Sequence, residues 1–163
     1  MQSSFYTFKQ KITNRFSYIQ FMLAHLPMGL VAGLRVLSLE EERAVVRVRF
    51  CWLNKNPFRS IYFAVLAMAA EFSTGILAFA HSGQQDISML IVKCQGDFYK
   101  KAVGNIRFTC NDGLAIQQAM YTTLKTGEGI VLQANSVGTN ELGVVVAKFT
   151  FEWSFKAKGD GKG

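Results

Sequence analysis

From Ser60 to Ala80 the chain carries a single charged residue, Glu71, close to the middle of an otherwise apolar, alanine-rich run. A segment of that length reaches across a bilayer. An acid at the centre of such a span costs roughly 2.5–3.5 kcal/mol on insertion. Strand-like segments flank the run on both sides, so the sequence predicts a helix buried in a soluble core, and no membrane partner. Asn54-Lys55-Asn56-Pro57 reads as its start signal, because proline suits the first turn of a helix. The helix is expected over Phe58 to Ala80, closed by Ser82-Gly83.

The flanks set the rest. Phe5 to Leu26 reads as an amphipathic N-terminal helix ending near Pro27, a better fit than a signal peptide because Gln20, His25 and Pro27 interrupt the apolar run between Lys11 and Leu34. Gly33 to Ser38 and Arg43 to Phe50 read as strands. In the second, Ala44, Val46, Val48 and Phe50 share one face, and Arg43, Val45, Arg47 and Arg49 the other. Beyond the long helix come strands at Ser88 to Phe98 and Ala102 to Cys110. A second helix is capped by Asn111 or Asp112 and stopped by Gly127 and Gly129. Gly129 to Val137 and Glu141 to Lys156 form a hairpin around Gly138-Thr139-Asn140. In its last strand Ala147, Phe149, Phe151, Trp153 and Phe155 alternate with Lys148, Thr150, Glu152, Ser154 and Lys156. Each strand has one apolar face, which needs a cover. The expected fold is α+β: a curved antiparallel sheet wrapped around the long helix, with an extra N-terminal helix. Residues 1–156 make one domain, and residues 157–163 a disordered tail.

The chain has 163 residues and a net charge of +7. That size suits one well-buried domain. The charge suits an anionic partner without choosing among phosphorylated small molecules, lipid and nucleic acid. Arg43, Arg47 and Arg49 alternate on one strand with no exposed aromatic between them, so the stacking signature of single-strand binding is missing and no nucleic acid is expected. The three cysteines are widely spaced and fit neither a disulfide framework nor a zinc site, and the two histidines cannot build a multi-histidine metal centre. A reduced, cytoplasmic setting and no metal follow.

On a helical wheel Ser60, Ala64, Ala67, Glu71, Thr74, Gly75 and Ala78 share one side of the central helix. The one charge therefore lies on a stripe of small residues, where a backbone, a second subunit or a ligand can come close. A buried carboxylate must be paired or have its pKa raised. A raised pKa is what a general base needs. Both outcomes stand open for Glu71 on this pattern, and a paired structural carboxylate is the commoner one.

Asn56-Pro57-Phe58-Arg59-Ser60-Ile61-Tyr62-Phe63-Ala64, followed by Glu71, resembles the approach to the central helix in hotdog-fold thioesterases, above all the phenylacetyl-CoA thioesterase-like branch. That branch places an asparagine fifteen positions before the helix acid, and Asn56 and Glu71 keep the spacing. Phe98 to Gly104 resembles the family's turn after the helix. Tyr62 stands where the family has histidine, and Phe63-Ala64 where it has two glycines.

The resemblance implies hydrolysis of an acyl-CoA or acyl-carrier thioester at a site shared by two subunits of a homodimer or a dimer of dimers. The thioester is substrate, and no cofactor is implied. Glu71 would activate water or attack the carbonyl. The Phe63 backbone N–H, beside Tyr62, would hold the oxyanion. Asn56 would position the loop or a water, and Ser73 and Thr74 are candidates to orient that water. Lys93, Lys100, Lys101 and Arg107 are candidates for coenzyme A phosphates. A non-catalytic hotdog module that binds an acyl-CoA or another apolar ligand is the alternative, favoured by Tyr62-Phe63-Ala64.

Overall fold

The computed structural model describes residues 2–83 and 86–158. The expected N-terminal helix is two, α1 (Gln2–Thr13) and α2 (Arg15–His25), followed by a short α3 (Pro27–Val31). The break falls at Asn14. Its side-chain oxygen accepts the N–H groups of Phe16 and Ser17 at 3.0 and 3.2 Å and so caps α2.

Strands β1 (Arg35–Leu39) and β2 (Ala44–Arg49) precede the long helix α4 (Phe63–Ser82). The helix begins five residues later than Pro57 suggests. Residues 55–61 instead form a loop closed by a bridge between Lys55 and Ile61. In that loop Arg59 has a left-handed backbone, φ 61°. The Asn56 side chain holds the loop, and its hydrogen bonds there replace those of a first helical turn. At the other end Gly83, φ 56°, closes α4 as expected.

Then come β3 (Ile87–Phe98), β4 (Asn105–Cys110), α5 (Gly113–Thr126), β5 (Ile130–Thr139) and β6 (Val145–Ala157). Asp112 precedes α5, yet its carboxylate accepts the Asn135 N–H at 2.7 Å and ties the helix start to β5. The β5–β6 turn lies at Asn140 to Gly143, just past the expected place. There the Asn140 side chain accepts the N–H groups of Leu142 and Val144. Strand β6 includes Ala157, and the Lys158 N–H bonds to Asp86 O at 2.7 Å. Of the expected tail, residues 159–163 lie outside the described residues.

The six strands form one antiparallel sheet in the order β1-β2-β4-β5-β6-β3. Val46, Val48, Ile106, Phe108, Ala134, Phe149, Phe151 and Phe155 bury one face of it around α4. Twelve of the twenty α4 residues are buried. Its length and mean hydropathy of 1.8 match a membrane span, but here the sheet supplies the apolar surroundings. On β6 the alternation from Ala147 to Lys156 holds except at Ser154, which is buried on the outer face. Its cross-strand neighbours Leu90 and Val131 are larger and shield it. This is the hotdog arrangement.

Candidate active site

Glu71 lies half-buried on α4, and among the described residues its carboxylate has no hydrogen bond or ion pair. A Cβ on Gly75 would stand 2.9 Å from Glu71 Oε1 and 3.5 Å from the Trp153 ring. The carboxylate is therefore laid over the bare backbone of Gly75, one turn on, beside the indole of β6. That apolar setting favours the neutral acid, and burial pushes its pKa from 4.5 up to about 7.

Thr74 fixes the wall of this pocket. Its hydroxyl accepts the Trp153 Nε1–H at 3.0 Å and donates back to Glu71 O at 2.9 Å. Ser73 bonds back to Ala70 O at 2.7 Å and meets Ser136 at 2.7 Å. Both hydroxyls are committed within the protein, as hydroxyls in helices often are. Thr74 orients the indole; Ser73 ties α4 to β5.

The start of α4 is the second element. Tyr62 is its N-cap, with φ −61° and ψ 135°, and makes no side-chain cap. Tyr62 O accepts from Val65 and Leu66, while the N–H groups of Phe63 and Ala64 have no partner among the described residues. They point out of the positive end of a 20-residue helix. The Phe63 ring is 56% exposed and packs edge-on against Tyr62 and Phe98. Eight residues along one helix put the Phe63 N–H about 12 Å from Glu71.

Asn56 is saturated inside its loop. Its oxygen accepts from the Phe58 and Ser60 N–H groups at 3.0 and 3.2 Å, and its amide donates to Ser60 Oγ and Ile61 O at 3.1 and 3.4 Å. It shapes the approach to the helix and has nothing left for a water. Asn56→Ala is expected to cost about 1–3 kcal/mol, the desolvation of the stranded loop groups; urea denaturation against wild type checks it.

The candidate phosphate contacts separate. Lys101 Nζ bonds Phe58 O at 3.3 Å, next to the α4 loop, and Lys100 is exposed beside it. Lys93 pairs with Glu152 at 3.3 Å. Arg107 alternates with buried Ile106 and Phe108, so it projects from the face of the sheet away from α4. Gly75 and Trp153 are the site residues that pattern reading missed. Gly75 was visible only as one of a small-residue stripe, and Trp153 only as one of an alternating apolar set.

The fold is shared with solved structures. A probable thioesterase of unknown function from Pseudomonas aeruginosa aligns over 91% of this chain and 99% of its own, with TM-score 0.73 and 20% identity. The PaaI protein of the E. coli phenylacetic acid degradation operon aligns over 93% and 96%, with TM-score 0.60 and 16% identity. A thioesterase from Haemophilus influenzae aligns over 83% and 87%, with TM-score 0.63 and 11% identity. At those identities the likeness is one of fold. No protein-family model and no curated protein matches the sequence.

Proposed function

We propose that this protein hydrolyses an acyl-CoA thioester at a site built jointly by two copies of the chain. The observation that carries the reading is the unpaired Glu71 carboxylate, held in an apolar notch with its pKa near 7. A group so poised takes a proton from water at neutral pH, or attacks the carbonyl itself. The unpartnered N–H groups at the start of α4 suit the developing oxyanion. They lie about 12 Å along the helix from Glu71 in the same chain, so one carbonyl cannot reach both. A second copy resolves this by presenting its helix start to the first copy's acid.

The surface supports the pairing of copies. Strand β3 is a sheet edge twelve residues long, and from Val92 to Phe98 every residue is exposed. A long bare edge is a template for another strand. Antiparallel pairing of two β3 strands would continue the sheet through both copies. Tyr62, Phe63, Phe98 and Tyr99 are exposed close by, and this apolar patch would be covered too. Lys100 and Lys101 supply positive charge beside it for the phosphates of coenzyme A.

A panel of aromatic and aliphatic acyl-CoA thioesters, assayed by thiol release, tests the reading. Turnover whose kcat/KM rises with pH through about 7, as Glu71 loses its proton, is the expected result. Binding without turnover across the panel would favour a non-catalytic acyl-CoA module, which the Tyr62 and Phe63 rings at the helix start also suit.

Gly75→Ala separates stability from chemistry. Alanine favours a helix by about 1 kcal/mol over glycine. Its methyl would displace Glu71 Oε1, and an ångström of misplacement can cost up to about a hundredfold in rate. The variant is expected to melt higher than wild type and to turn over about ten- to a hundredfold more slowly; thermal melts and kcat on one preparation check both.

A further inference from the structure

Strand register places three arginines in one row. Arg35 pairs with Arg47 across β1 and β2, and Arg47 pairs with Arg107 across β2 and β4. Residues directly paired in an antiparallel sheet project from the same face, with strands about 5 Å apart. Arg47 and Arg107 alternate with buried Val46, Val48, Ile106 and Phe108, so the row stands on the outer face, away from α4. Arg49 follows Arg47 on that face, opposite Asn105.

Like charges placed directly opposite each other destabilise a sheet. Natural rows of this kind are usually relieved by carboxylates. Among the described residues the only ion pairs are Lys9–Glu40 and Lys93–Glu152, and neither touches the row. The middle member is also the least satisfied. Arg47 Nε is buried and makes no hydrogen bond, and the nearest carboxylate, Glu141, accepts from the Asn105 amide in the neighbouring rung and forms no ion pair with the row. An anion laid along the row would offset the repulsion between its members, since guanidinium groups match phosphate geometry and bind it in forks.

We infer that the Arg35–Arg47–Arg107 row is a binding site for a ligand carrying two or more linked phosphates, separate from the Glu71 site. Three arginine positions whose strands together span about 10 Å suit a chain of phosphates better than a single one. A small polyphosphate is favoured over single-stranded nucleic acid. The row's flanking rungs are Val45–Thr109 and Arg49–Asn105, which offer no aromatic ring for a base to stack on.

The experiment is titration calorimetry of the full chain with sodium tripolyphosphate, repeated with coenzyme A, orthophosphate and a single-stranded oligonucleotide. Variants are Arg47→Gln, and Lys125→Gln on the exposed end of α5 as a charge control. Tripolyphosphate is expected to bind wild type and the control alike, more weakly at raised salt. Arg47→Gln is expected to weaken it about tenfold or more, the worth of one charge-assisted hydrogen bond. Coenzyme A binding that Arg47→Gln weakens in parallel identifies the nucleotide as a natural source of the phosphates. Thermal melts keep the test independent of folding. Without anion, Arg47→Gln should melt at or above wild type, because it relieves repulsion, and tripolyphosphate should raise the melting point of wild type more than that of the variant. Equal loss in Lys125→Gln, binding of the oligonucleotide without binding of tripolyphosphate, or no binding of tripolyphosphate would overturn the inference. None of these outcomes depends on thioester turnover.

Discussion

Glu71→Gln is expected to lower kcat/KM by about a thousandfold while leaving the circular dichroism spectrum unchanged. The amide keeps the shape of the side chain and removes its ability to accept a proton. Among the described residues nothing structural holds the carboxylate: it has no ion pair or hydrogen bond to lose. The same change is expected to stabilise the protein, with a definite pH sign. The folded pKa lies above the unfolded one, about 7 against 4.5. The native state therefore holds the proton more tightly. That advantage is complete below about pH 4.5 and is lost as pH rises through 7, where folding must bury a charge. Glu71→Gln should then exceed wild type by on the order of 2 kcal/mol at pH 8, with the difference fading toward pH 5. Urea denaturation at the two pH values reads it. A catalytic group that weakens the fold is a common arrangement in enzymes; a structural carboxylate would give the opposite sign.

Phe63→Pro is expected to cost about a hundred- to a thousandfold in kcat, the worth of an oxyanion donor. The substitution deletes one backbone N–H and leaves the path of the backbone unchanged. Proline is favoured at the first helical position, which Phe63 occupies. The residue before a proline must be extended, and Tyr62 already is, with φ −61° and ψ 135°. The ring is lost as well, so Phe63→Ala is the companion. It keeps the N–H and should keep kcat, with any change falling on KM and on the acyl group preferred. Equal loss in the two variants would make Phe63 a side-chain contact and not a donor.

The fold was largely legible because its signals are periodic. The alternation of Phe149, Phe151, Trp153 and Phe155, and the one acid in a long apolar run, both follow from burying one face against α4. The errors lie where a side chain bonds to nearby backbone. Asn14 splits the first helix, Asn56 replaces the first turn of α4 with a loop, and Asn140 places the last turn. In each case an asparagine oxygen competes with helix or strand for an N–H, and composition does not reveal that the competition is won. Of the candidate site, Glu71 was readable as the one charge on an apolar helix, whereas the Phe63 N–H followed only from the resemblance to hotdog thioesterases, and the start of α4 lies five residues past the expected place. The Glu71–Gly75–Trp153 notch joins a helix to a strand far along the chain, and the arginine row exists only once register is fixed. Neither leaves a local pattern.

The composite site is tested most directly by mixing its two broken halves. Phe63→Pro keeps Glu71, and Glu71→Gln keeps the helix-start N–H. Co-expressed with different tags and purified together, they form mixed dimers in which one of the two sites is whole. If thioester hydrolysis needs the acid of one copy and the N–H of the other, the equimolar mixture should recover about a quarter of wild-type acyl-CoA turnover, because about half the dimers are mixed. Activity no greater than the sum of the two parents would contradict a site shared between subunits.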